Sequence, residues 1–267
     1  MRIRIGTQGW NYDGWVGPFY PIGTRAADFL SLYARAFDAV EVDSTFYAIP
    51  NVRVVRGWAA RVPDGFTFAL KLPKEISHEN RLRDAAGLAP QFCDVARELG
   101  GKLGPILIQL GPDFGPNERP ALAEFLSRLP GDLQFAVEFR QRGWINESVL
   151  ALLADHNVAL ALTDARWIPR RTMLALAEQP TADFGYVRWM GPNRDIVDFS
   201  RIQIDRSREL ESWSHALHTH AQKVKVVWGF ANNHFAGHSP STARDLQKLI
   251  GQEPVMPEDL SEQRSLF

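Results

Sequence analysis

Four charged residues stand inside short apolar runs: Glu41 in AVEVD, Lys71 in FALKL, Glu138 in FAVEF and Arg188 in YVRWM. Burying a charge in such a run is costly unless it is paired, so each needs a reason to be there. One reason is a structural ion-pair layer; the other is a catalytic or ligand-binding cluster. Two carboxylates with cations beside them suit general acid–base work, because the cations hold one carboxylate or the substrate as an anion while burial keeps the other proton near neutral pH. Glu41 and Glu138 are thus the acid–base candidates, with Lys71, His78 and Asp164 as further catalytic candidates and Arg140 and Arg188 as anion holders. A glutamate pair also suits glycoside hydrolysis, with Trp10, Tyr47 and Trp144 as surfaces for sugar rings. Trp10 and Trp144 have a plainer reading too, as large apolar bodies packed beneath loops.

These residues need a frame that gathers them. Eight apolar, β-branched runs recur along the chain: Ile3–Thr7, Ala39–Asp43, Phe66–Leu72, Pro105–Leu110, Gln134–Phe139, Ala159–Asp164, Gly185–Met190 and Val224–Phe230. Between them, apolar residues fall at helical spacing, as in Phe29, Leu32, Tyr33 and Phe37, or Leu122, Phe125, Leu126 and Leu129, or Leu210, Trp213 and Leu217. Eight strand-then-helix units in 267 residues predict a single α/β domain, a (β/α)8 TIM-type barrel over residues 1–250. A doubly wound sheet is the alternative, but no GxGxxG or GxxxxGK turn is present. In the barrel the site lies where strands end. That places Trp10, Tyr47, Gln109, Arg140, Arg188, Asn232, Asn233 and His234 as substrate-binding candidates.

A divalent metal is the one cofactor these residue types suggest, with Glu41, His78, Glu138 and Asp164 as candidate ligands and His234 as a further imidazole. His215, His218 and His220 read as solvated, because Leu210, Trp213 and Leu217 form the inward stripe of their helix. Phosphate is the better-supported ligand. Barrels of this type bind it in the loops after strands seven and eight, where this chain offers Arg188, Asn232–His234 and then Gly237, His238 and Ser239 ahead of a helix near Pro240. Ser239–Pro240 also reads as a simple N-cap with proline at the first helical position.

Composition narrows the class. The net charge is -1, and one cysteine, Cys93, excludes an intramolecular disulfide and zinc sites built on paired cysteines. No apolar run approaches the length of a membrane span, so a cytoplasmic location is expected. Basic residues comprise 24 Arg and 6 Lys without a global positive field, so nucleic-acid binding requires a local patch.

Seven ordered stretches, Gly6–Pro21, Phe37–Pro50, Phe66–His78, Gly104–Phe114, Phe135–Trp144, Tyr186–Gly191 and Gly229–Ala243, resemble the YecE-like family, catalogued as domain of unknown function 72. The resemblance covers nearly the whole chain and implies a TIM-type barrel, while leaving the activity open. Gln8 stands where the family usually carries Ser, and Phe230–Asn233 reads Phe-Ala-Asn-Asn where many members have Phe-Asn-Asn. TIM-type endonuclease IV and xylose isomerase relatives hold metals with ligand sets similar to the candidates above.

After Ile250 the Pro-, Glu- and Gln-rich segment 251–267 reads as a flexible tail. Its last five residues resemble the short Gln-x-x-Leu-Phe peptides by which bacterial replication and repair proteins dock on the DNA polymerase sliding clamp. That resemblance implies Gln263, Leu266 and Phe267 as partner-binding residues; the alternative is a terminal Leu-Phe folded back onto the barrel. The expected function is a hydrolase or lyase acting on a phosphate- or sugar-containing substrate, DNA repair-associated if the clamp peptide operates. The alternative is a non-catalytic binding protein for a phosphorylated ligand.

Overall fold

A computed structural model describes residues 2–83, 87–192 and 195–262. Eight parallel strands close into one barrel in chain order: β1 (Ile3–Gln8), β2 (Ala39–Val42), β3 (Thr67–Lys71), β4 (Leu103–Gln109), β5 (Phe135–Glu138), β6 (Ala159–Ala165), β7 (Phe184–Gly191) and β8 (Val226–Ala231). The expected (β/α)8 barrel is therefore observed. Helices α1 (Phe29–Ala36), α2 (Val52–Ala60), α3 (Leu88–Arg97), α4 (Arg119–Ser127), α5 (Glu147–Asp155), α6 (Arg170–Leu176) and α7 (Ser207–Ala221) follow successive strands. After β8 come a short α8 (Asn233–Ala236), α9 (Ser239–Leu249) and α10 (Pro257–Glu262).

Each helix docks through the stripe its spacing dictates. Phe29, Leu32 and Tyr33 of α1 and Leu210, Trp213 and Leu217 of α7 are buried, each large side chain contributing about 1.5–3 kcal/mol by leaving water. Tyr33 also locks its helix to the sheet: its hydroxyl accepts from the Thr7 amide at 2.8 Å and donates to the Ala39 carbonyl at 3.0 Å.

Inside the barrel the two-residue period of each strand sorts side chains into layers. Ala69, Leu107, Ala136, Ala161, Tyr186 and Phe230 fill the interior. Two residues further along their strands, Lys71, Gln109, Glu138 and Arg188 share that inward parity, and Gln8 pairs in register with Glu41 as Gln109 does with Glu138. At the opposite end Arg4 closes the floor, donating to the Gly65 carbonyl and to Thr67 Oγ1, both at 2.7 Å.

Two expectations are corrected here. His220 is buried, not solvated, and donates from Nδ1 to the Ala177 carbonyl at 2.8 Å. It lies seven residues after Trp213, on the same helical face, and its ring occupies the space a Cβ at Gly185 would need. The segment after Ile250 is also not a loose tail as far as it is described. Gln252 donates to the Ile3 carbonyl at 2.7 Å, and Leu260 of α10 is fully buried, seating that helix beside α1. Gln263, Leu266 and Phe267 lie outside the described residues. Among the described residues no helix is long and apolar enough to cross a membrane.

Candidate active site

Arg188 occupies the centre of the barrel mouth and is fully buried. One edge of its guanidinium grips Glu41 in two-point fashion, Nε to Oε2 at 2.9 Å and Nη2 to Oε1 at 2.7 Å. Its remaining Nη1 donates to Glu138 Oε2. Three non-adjacent strands, β2, β5 and β7, are thereby tied together across the interior. Tyr186, two residues before Arg188 on the same inward face, donates its hydroxyl to Glu41 Oε2 at 2.6 Å. Glu138 Oε1 accepts from Gln109 at 2.9 Å and from Arg140 Nε at 3.2 Å.

The two carboxylates differ in their surroundings. Burial pushes both carboxyls up. At Glu41 burial outweighs the attraction of Arg188, and nearby Asp43 adds to the rise. At Glu138 the combined pull of Arg188, Arg140 and Lys71 overcomes burial and holds the group down at about 2. Glu138 is thus an anion throughout the neutral range. With a guanidinium seated between them, the two glutamates cannot flank a glycosidic bond and a water, as a glycosidase pair must.

Above this layer opens a cavity of about 410 Å³. Lys71, His78, Arg140, Arg166, Trp167 and Asn232 line it, with Gln8, Asp43, Tyr47, Gln109, Glu138, Arg188 and His234 around them. Lys71 is nine-tenths buried, its Nζ 3.9 Å from the centre of the Phe46 ring and 4.0 Å from Asp43 Oδ1. Burial, with Arg188 opposing the charge and Asp43 favouring it, brings this lysine down to about 8. His78 sits on a π-helical turn, Glu75–Glu79, of the kind often found at functional sites, with its ring edge-on to the same Phe46. Burial, aided by Arg140, lowers its pKa and favours the neutral imidazole. Asn232 donates to Gln8 Oε1 at 2.7 Å, so the departure from Ser at position 8 places an amide in the wall.

Several candidates fall elsewhere. Asp164 is off the inward parity of β6 and faces the helix layer, where it accepts from Arg170 and from Trp213 Nε1, the latter at 2.8 Å. Trp10 is turned away by Gly9, whose φ of +76° suits glycine, and packs edge-on against Trp58 and Phe68. Trp144 is buried, stacked between Phe114 and Phe139, and donates to the Phe114 carbonyl. Asn233 is buried as a capping group, accepting from Trp15 Nε1 and from Ser239. The N-terminus of α9 is closed as well: His238, one residue before the expected Ser239, is its cap and accepts from the Ser241 amide. Its amides are therefore occupied internally rather than offered to phosphate. The candidate metal ligands do not assemble, since Glu41 and Glu138 are spent on Arg188 and Asp164 faces outward; among the described residues no three His, Cys, Asp or Glu side chains converge.

Sequence reasoning passed over Tyr186, Phe46, Arg166 and Trp167. Tyr186 was available from the two-residue period of YVR; Phe46 ends a 3-10 turn, Asp43–Phe46, and Arg166 and Trp167 sit in a loop, and the sequence specifies the path of neither.

The profile described as "Protein of unknown function DUF72" matches residues 4–264. The chain belongs to this family. It is 38% identical to UPF0759 protein YecE of Escherichia coli K12 over 138 residues, which are 52% of this chain and 48% of that protein, so the match spans about half the length of that relative. UPF0759 protein YunF of Bacillus subtilis is 24% identical over 94% of this chain and 95% of its own. A solved DUF72 family protein from Thermotoga maritima superposes with a TM-score of 0.80 at 22% identity, covering 94% of this chain and all of that one. Membership in this DUF72 family agrees with the barrel, and at that identity the solved structure speaks to the fold alone.

Proposed function

We propose that this DUF72 protein is a lyase or hydrolase whose substrate is a small anion, phosphate- or sugar-containing, held in the mouth cavity. One observation carries the reading. Among the described residues, Lys71 Nζ, the two Nη groups of Arg140 and the guanidinium of Arg166 have no carboxylate within hydrogen-bond distance, although all three residues line one cavity. Buried Lys71 and half-buried Arg140 hold their donors in the recess, with exposed Arg166 beside them, and donors without acceptors favour an anionic ligand, whose charge replaces the water the recessed ones lose. Arg140 stands 5.5 Å and Arg166 4.2 Å from the Trp167 ring, which braces both.

In this reading Glu41 and Glu138 position Arg188, and proton transfer falls to Lys71, which burial brings down to about 8, and to His78, whose imidazole burial favours in the neutral, proton-accepting form. The test is a thermal-shift titration with inorganic phosphate and sugar phosphates, followed by turnover assays on whichever compound binds. Binding without turnover by any of them favours the phosphorylated-ligand binding protein instead. No binding of any anion to the intact protein removes the proposal.

Docking of Gln263, Leu266 and Phe267 on a sliding clamp is a separate proposal, supported by the peptide's form alone. It would supply a high local concentration on DNA to a chain of net charge -1, and with it a nucleic-acid substrate of the endonuclease IV type.

A further inference from the structure

We propose that Lys71 condenses with the carbonyl group of an anionic aldehyde or ketone and holds it as an imine in the mouth cavity. The anionic part rests on the reading above; the imine does not.

Lys71 differs from the other lysines in what surrounds its amine. Lys74 is paired with Glu79 at 2.8 Å, Lys102 donates to the Ala59 and Val62 carbonyls, Lys223 pairs with Glu178 and Lys225 with Asp183, each within 2.8 Å. Lys248 is exposed. Lys71 alone is nine-tenths buried and aimed into a cavity, with three donors and no hydrogen-bond acceptor among the described residues. Its nearest carboxylate oxygen, Asp43 Oδ1, stands at 4.0 Å, too far to fix the ammonium and within reach of a proton relay through one water. Phe46 covers one side of the amine, leaving the cavity side open.

The charged neighbours pull both ways. Arg188 opposes the ammonium, while Asp43, Glu41 and Glu138 favour it, and burial decides the balance toward the neutral amine. With a pKa of about 8, roughly a tenth of the amine is free at pH 7, against about one part in three thousand for an ordinary lysine. An amine nucleophile needs that free lone pair and a desolvated pocket.

The step is balanced without any co-reactant. The Nζ lone pair forms the C–N bond as the carbonyl π pair moves onto oxygen. Both amine protons end on that oxygen, the C–O bond breaks, and one water leaves the imine behind. Asp43 and the neutral imidazole of His78, which shares the Phe46 ring with Lys71, are placed to carry those protons. The imine then draws electrons from the adjacent carbon, which eases cleavage of a neighbouring C–C or C–H bond and so fits the lyase branch.

The test uses the intact protein, incubated at pH 7 with glyoxylate or with butanal, each with cyanoborohydride to trap imines, and peptide mass spectrometry to read every lysine. Glyoxylate is expected to label Lys71 at least about tenfold faster than Lys74 or Lys248, because the rate follows the free-amine fraction, and inorganic phosphate should protect Lys71. Labelling of Lys71 no faster than Lys248 with both aldehydes overturns the imine. Rapid labelling by butanal and glyoxylate alike, without phosphate protection, keeps the imine and defeats the anion reading. A phosphate-induced thermal shift with unlabelled Lys71 does the reverse.

Discussion

Arg188 on β7 and Glu138 on β5 meet across the barrel interior, both side chains almost wholly inaccessible, so a residue pair 50 positions apart in sequence holds the mouth together. Their contact, with Glu41 on the other edge of the guanidinium, makes this layer an architectural part of the site. It fits the structural ion-pair reading for Glu41, Glu138 and Arg188, and of the four charges set in apolar runs it leaves Lys71 without a close ionic partner at the cavity.

Arg188→Met should destabilise the fold severely. Removing the shared cation leaves Glu41 and Glu138 buried without compensation, a loss of about 3–5 kcal/mol. Urea denaturation at pH 7 reads it, and a variant within about 1 kcal/mol of wild type would contradict the buried-layer account.

Acid should undo the same layer over a defined window. The Glu138 carboxyl is lowered from 4.5 to about 2, so its contribution is complete above pH 4.5 and is lost as pH falls toward 2. Glu41 is raised, so its protonation on acidification has the opposite sign and offsets part of that loss. Glu138→Gln should lower stability at pH 7 and flatten the decline between pH 4.5 and 2 relative to wild type; parallel curves would count against the assignment.

Lys71→Met should stabilise the protein at neutral pH, the reverse of the Arg188 result. A lysine lowered from 10.5 to about 8 binds its proton less well folded than unfolded, so its penalty is complete below pH 8 and fades as pH rises toward 10.5. The gain is at most on the order of 3 kcal/mol at pH 7 and shrinks by pH 10. Paired melts at the two pH values check it, and loss of stability at pH 7 is the contrary outcome.

Millimolar phosphate should raise the melting temperature through mass action, and Arg140→Ala should abolish that rise. Arg140 lines the cavity, whereas the α9 N-terminus is already capped by His238. Persistence of the full shift in this variant would move the anion away from the cavity.

Truncation of residues 263–267 should eliminate binding to purified sliding clamp. Micromolar affinity, near -8 kcal/mol, that vanishes on truncation supports docking; equal titrations for both forms dispose of it.

The eight strands and the helices between them were legible from the chain alone, because a two-residue period beside a helical period is a local property of the sequence. Part of the inward set was legible too, although the strand-end reading took Asp164 into the site and His220 as solvated. Lys71, Glu138 and Arg188 stand out as charges in apolar runs whatever the closure. Parity within those runs already separates Asp164 from Thr163, the β6 residue in register with Arg188, and places His220 on the stripe of Trp213. What the tertiary structure alone decided is which charges meet. Glu41, Glu138 and Arg188 come from strands that never touch as neighbours, and only closure of the barrel sets their separations. Ion-pair energy falls with distance and burial, neither of which is written in local spacing. For that reason the sequence nominated the two glutamates for catalysis, while the folded barrel spends both on one arginine and leaves Lys71 facing the cavity.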